Sequence, residues 1–293
     1  KLRAMKKALF PLCVFLALNA VAQVPKVEPK DLIQSGPMLG YSEMREVMVW
    51  VQTTEPARVQ IKYWPEGMTN PVLETETYET HKAEGFTAHL IADEVLPGNR
   101  YEYAVYINDE RAELEYETFF QSSPDWSYKT DPPNFSVALG SCFYVNDEPF
   151  DRKGTPYGQG TEIMTKIHEQ NPDLMIWLGD NTYYREADWG TKTGMVYRNT
   201  HTRSVRDIQP LLANTHHYAT WDDHDYGPND HNRTFINKTM SLAVFKLFWG
   251  NPTYGFLDEE CAVTQWTWGD VDFYLLDDRW YRSANRLNGG EQS

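Results

Sequence analysis

Three short apolar runs end abruptly in groups that bind metals or carry protons: VALGSC at 137–142, MIWLGDNTYY at 175–184 and ATWDDHDYGPND at 219–230. A fourth, FYLLDD at 273–278, ends in Asp277 and Asp278. One acidic strand end is ordinarily a cap or a turn former. Several brought to a common edge would repel one another unless cations held them, so metal binding is the economical chemistry. Oxygen donors alone suit calcium, magnesium or manganese, whereas the Cys142 thiol and Tyr183 phenol beside Asp180 suit iron or a mixed cluster. The run DDHDYGPND does not make an EF-hand loop, because Gly227 stands at the fifth position from Asp223 and no glutamate at the twelfth.

The elements that must position these groups change character along the chain. From Phe135 onward, the buried-strand patterns FSVALG, DLMIWLG and HHYATW alternate with the helical patterns TEIMTKIHEQ and SVRDIQPLLANT. FINKTMSLAVFKLFWG then reads as a helix, and TQWTWGDVDFYLLDD as a hairpin turning at Gly269 and Asp270. Strands alternating with helices predict an α/β layered domain whose site lies beyond the carboxyl ends of the strands. Upstream, REVMVWVQTTEPARVQIKYWPEG and FTAHLIADEVLPGNRYEYAVYINDERAELEYETFFQS predict about seven short strands. That pattern fits an immunoglobulin-like or fibronectin-III-like sandwich, with Tyr101 after the ProGly turn closing a corner. The Ser-, Pro- and Asp-rich stretch 122–134 places the boundary, giving a sandwich over 23–125 and an α/β domain over 126–293. His216 and His217 on the third α/β strand read as structural.

The first 22 residues have a basic start, a short apolar run and a small-residue ending at Ala20 and Ala22, which predicts a secretory signal peptide beginning at Met5. The run is too short for a membrane anchor and contains Pro11, so the expected location is periplasmic or secreted by a Sec-type route. Removing Lys1, Arg3, Lys6 and Lys7 with it takes the net charge from −15 to −19. No basic face for nucleic acid or anionic lipid is expected, and a phosphate-handling site would need metals or local arginines to invert the field.

GDNTY at 179–183 matches a GlyAspXxxXxxTyr signature of the calcineurin-like metallophosphoesterases. Taken in order, GSC at 140–142, GDNTYY, WDDHDYGPND at 221–230 and LDDRWYR at 276–282 resemble the PhoD-type alkaline phosphatase and phosphodiesterase family. The resemblance implies a β-sandwich followed by a four-layer α/β/β/α metallophosphoesterase domain. It implies hydrolysis of phosphate mono- or diesters, as small molecules or phosphodiester polymers, by a metal-activated water, with iron and calcium as cofactors. By resemblance Asp180 bridges two metals, Cys142 and Tyr183 bind the iron-type ion, and Asp222 with Asn229 bind calcium-type ions. Asp223 and His224 occupy the wider superfamily's Asn and His positions, Arg203 is the candidate phosphate contact, and Arg279 a salt bridge near Asp278.

The family's late histidine ligands have no counterpart, since no histidine follows His231. The expectation is therefore a C-terminally truncated member. No nucleophile elbow or glycine-rich phosphate loop supports a covalent or nucleotide-cradling alternative. Two rivals stay open: a purple-acid-type phosphatase, against which Cys142 and WDDHDY argue, and an exported non-catalytic protein that binds calcium or another ligand.

Overall fold

The structure, a computed structural model, describes residues 27–158 and 160–285; the expected signal peptide lies outside them. The upstream half is all β: β1 (Ile33–Ser42), β2 (Val47–Thr53), β3 (Arg58–Pro65), β4 (Leu73–Glu74), β5 (Tyr78–Glu79), β6 (Thr87–Ala92), β7 (Arg100–Ile107), β8 (Glu110–Arg111) and β9 (Phe119–Gln121). The downstream half is mixed: β10 (Val137–Gly140), α1 (Glu162–His168), β11 (Leu174–Leu178), α2 (Lys192–Arg203), α3 (Gln209–Asn214), β12 (His216–Thr220), α4 (Asp223–Tyr226), α5 (Lys238–Phe248), β13 (Thr264–Trp268) and β14 (Val271–Leu275). No helix among the described residues is long and apolar enough to cross a membrane.

The two halves share a sheet. Its order is β10-β11-β12-β1-β2-β6, with β10, β11, β12 and β1 parallel and the remaining pairs antiparallel. A second sheet, β4-β3-β7-β8 with β5 and β9 alongside, covers the β1, β2 and β6 end to make the sandwich. Successive residues of β1 and β2 therefore face two different cores. Leu39, Val47, Val49 and Val51 pack into the sandwich with Ile61, Tyr63 and Val105, while Met38, Met48 and Trp50 pack beneath the helices with Trp177, Leu211 and Phe248. This explains why all of β2 is buried, a burden that alternating polar residues could not carry. The corner predicted at Tyr101 forms, its hydroxyl accepting from the Leu96 amide at 2.8 Å.

Around β10, β11 and β12 the layers run α/β/β. Met164 of α1, Met195 of α2, Leu211 and Leu212 of α3 and Phe245 of α5 cover one face. The β13–β14 hairpin covers the other, with Trp266 and Trp268 against Leu174, Ile176 and Tyr218. The Tyr218 and Trp266 rings stack at 3.9 Å between centroids. His216 and His217 are buried in this framework. The Trp177 indole donates to Nδ1 of His217 at 2.9 Å, so its proton sits on Nε2 and is shared with the Leu211 carbonyl.

Candidate metal centre

Cys142, Asp180 and Asp222 stand at the carboxyl ends of β10, β11 and β12, two residues past each strand. Adjacent parallel strands bring those ends within reach of one another. The β11 and β12 loops approach so closely that a Cβ on Gly179, whose φ is +97°, would lie 2.6 Å from the Asp222 Cβ. Cys142 and Asp180 themselves take positive φ values of 60° and 53°. That conformation is costly for a residue with a side chain and concentrates at functional sites.

Asp180 is the hub. Its Oδ2 accepts from the Tyr183 hydroxyl at 3.1 Å and lies 3.8 Å from the Cys142 Sγ, while Oδ1 accepts from the His224 amide at 3.1 Å. Donor atoms of Asp180, Asp223 and His224 all lie within 4.8 Å of one another, and the His224 ring rests on that of Tyr183 at 4.4 Å. The residues brought together are thus Cys142, Asp180, Tyr183, Asp223 and His224. Asp222 stands beside them, its carboxylate gripped by the Arg279 guanidinium.

One expectation is corrected. Arg203 does not face the centre: it is buried in the helical core, its guanidinium 4.0 Å from the Trp249 ring centroid and against the Met38 sulfur. The aromatic faces and sulfur that make this arginine tolerable in the core also put it out of reach of a substrate. Asn229, expected with Asp222 on the calcium side, is exposed, and its side-chain amide donates to the neighbouring Asp230 carboxylate at 2.9 Å. What that turn delivers is the Asp230 amide, which donates to Asp223 at 2.5 Å.

Two residues carry more than their sequence positions suggested. Asp225 is buried and accepts from the amides of Asp222 (2.7 Å), Asn181 (3.1 Å) and Asp180 (3.3 Å), clamping the β11 and β12 loops together. Its signal was present as a reciprocal cap, Asp222 at the N-cap and Asp225 three residues on. Arg279 extends beyond Asp278, which it meets at 3.6 Å, to Asp222 and to Asp223 at 3.8 Å. The β13–β14 hairpin belongs to a separate two-stranded sheet, and this arginine ties its end to the edge formed by the other three strands.

The electrostatics are those of a centre short of positive charge. Burial, with Asp223 and Asp222 adding, raises the Asp180 carboxyl against the opposing His224 contacts. Burial and the hydrogen bond and charge of Asp222 push Asp278 up to about 7. Burial also drives the Tyr183 phenol strongly upward, with Cys142 and Asp180 adding to it. Asp223 alone is held low: burial raises it, but the Asp230 amide, His224 and Arg279 outweigh that. A multivalent cation reverses each of these penalties, and the donors present, carboxylate, imidazole, thiol and phenol, fit one.

A family model described as a domain of unknown function (DUF7800) matches residues 30–124. No curated protein matches the chain. Among solved structures it is similar to one described as the structure of PhoD, at 15% identity over 91% of this chain and 56% of that one, with a TM-score of 0.70. It is also similar to a purple acid phosphatase isolated from yellow lupin (Lupinus luteus) seeds, at 13% identity over 84% of this chain and 46% of that one, with a TM-score of 0.55. The chain spans about half the length of these structures. The likeness establishes the fold alone: a mixed α/β domain of the kind seen in these two structures, joined to a β-sandwich.

Proposed function

We propose that this chain carries the metal centre of an exported phosphoesterase that hydrolyses phosphate mono- or diesters. The observation that carries the reading is the convergence of Asp180, Asp223 and His224 within 4.8 Å at the strand ends of a metallophosphoesterase-like fold. Asp180 would be shared between two ions, iron beside Cys142 and Tyr183 and calcium on the all-oxygen side with Asp223 and Asp222. Bound metals would supply charge neutralisation for the phosphoryl oxygens and a more acidic water as nucleophile. The chain's residues do the rest. Asp225 fixes the two loops so that the donors need not reorganise, and the His224 ring, resting against Tyr183 beside Asp180, would complete the donor set. Arg279 offsets part of the charge on Asp222 and Asp223. Export by a Sec-type leader and small phosphate esters or phosphodiester polymers as substrates belong to the same reading.

The test is hydrolysis of mono- and diester phosphates by the full chain loaded with iron and calcium, before and after chelation. Chelator-sensitive turnover supports the reading. Turnover that ignores the chelator sinks the metal mechanism, and no turnover in any metal favours the non-catalytic binding protein.

A further inference from the structure

Tyr183 does more than face Asp180: it begins a row of rings leading away from the centre. His224, Tyr183, Tyr144 and Tyr157 follow one another with centroid separations of 4.4, 4.8 and 5.6 Å. The row starts at a member of the metal-binding group and ends at a ring that is 63% exposed. Tyr144 has the Arg185 guanidinium 4.3 Å from its ring centroid, so the open face of the row belongs to Tyr157.

The loop holding these rings is braced on both flanks. The Tyr144 hydroxyl donates to Asp151 at 2.8 Å, and Arg185 pairs with the same carboxylate at 2.7 Å. Asn146 accepts from the Tyr157 amide at 3.2 Å and donates to the Gly158 carbonyl, while its own carbonyl meets Nε2 of His201 on α2 at 2.9 Å. Arg152 donates to the Tyr157 hydroxyl at 3.2 Å. An exposed tyrosine held by its backbone, ring edge and hydroxyl is a preorganised platform, and little entropy remains to be lost when a flat group settles on it.

We propose that this row is the subsite for the organic part of the ester, and that Tyr157 selects esters bearing a planar aromatic group by stacking. The proposal rests on the phosphoesterase reading for the fate of the ester but not for its binding. The Tyr157 ring lies two ring spacings, 4.8 and 5.6 Å, beyond Tyr183, so the aromatic group is carried on a tether. The test uses two phosphonates that cannot be hydrolysed, 4-phenylbutylphosphonate and butylphosphonate, titrated calorimetrically into the full metal-loaded chain. Stacking predicts that wild type favours 4-phenylbutylphosphonate. Tyr157→Ala should weaken 4-phenylbutylphosphonate about three- to tenfold more than butylphosphonate, and Tyr157→Phe, which keeps the ring, should restore most of the difference. Equal losses for both phosphonates, no loss, or no 4-phenylbutylphosphonate binding by wild type would each overturn the subsite. Hydrolysis assayed in parallel separates the two claims. Ring-dependent binding without turnover keeps the subsite and removes the phosphoesterase, while turnover without ring dependence does the reverse.

Discussion

Two buried groups of charge meet at the loop after β11, and they are balanced differently. On the helical side, Arg185 pairs with Asp151 at 2.7 Å, and Arg198 pairs with Asp188 at 2.7 Å and Asp147 at 3.1 Å. On the strand-end side, Asp180, Asp222, Asp223 and Asp225 cluster together, and the Arg279 guanidinium meets Asp222 and Asp223 of the four. Asp180 and Asp147 are alike in burial, each being 7% exposed, while Asp222 is only partly buried. The first group is complete in itself, a brace between α2 and the loops at 147–151 and 185–188. The second carries repulsion that its own residues do not neutralise. Unequal countercharge separates a structural network from a candidate ligand site.

The largest expected effect removes the hub of the unbalanced group. Asp180→Asn should lower kcat/KM of the metal-loaded chain on a phosphate ester by about 10⁴-fold, while its thermal midpoint without metal holds or rises because repulsion is relieved. Activity near wild type would refute the site. Breaking the balanced group should do the opposite to stability: Arg198→Met leaves Asp147 and Asp188 buried and unpaired, at a cost of about 3–5 kcal/mol in urea denaturation. A loss below about 1 kcal/mol would mean the network is not structural.

Metal addition sharpens the contrast. At about a hundredfold excess over Kd, calcium or iron should stabilise wild type by about 2.7 kcal/mol and Asp180→Asn far less. Equal thermal shifts in both would place binding elsewhere. The smallest effect is a pH dependence of the brace. Burial raises the Asp151 carboxyl, but Arg185, the Asp147 amide and Tyr144 outweigh it and hold it at about 2, against 3.8 unperturbed. A depressed folded pKa contributes stability that is fully present above about pH 4 and lost as pH falls through about 2. That contribution is about 2 kcal/mol, and Asp151→Asn should remove this part of the acid slope. An unchanged difference between wild type and variant from pH 5 to 2 would contradict it.

Much of the fold was legible in the pattern of apolar residues. The strands at 137–140, 174–178 and 216–220, the hairpin and α5 follow from short apolar runs, turn residues and helical spacing. α2 was not recovered, because KTGMVYRNTHTR is largely polar and buries Arg198 and Arg203 through ion pairs and ring contacts and Asn199 and Thr202 through hydrogen bonds. β1 was hidden for a related reason. IQSGPMLGYS carries Gly36 and Pro37 where a loop would, and only its position between two cores explains it as a strand.

At the site, residue type pointed to Cys142, Asp180, Tyr183, Asp223 and His224, since each stands at or just past an apolar strand end. Arg203 misled because its position before β12 carries no sign of whether a guanidinium faces a substrate or a tryptophan. Asp225 and Arg279 act through other carboxylates, a role visible only once the loops are in place.

The shared strand β1 has a consequence for how the chain is made. The His216 ring meets the Gly40 carbonyl at 2.8 Å across 176 residues of sequence. Synthesis proceeds from the N-terminus, so the sandwich emerges long before β12, and one edge of β1 waits without its parallel partner while the intervening chain follows. The seam between the halves is a late, high-contact-order event. Until it closes, the nascent sandwich exposes both a free strand edge and the Met38, Met48 and Trp50 face that the helices later cover, the part of this molecule most in need of a chaperone.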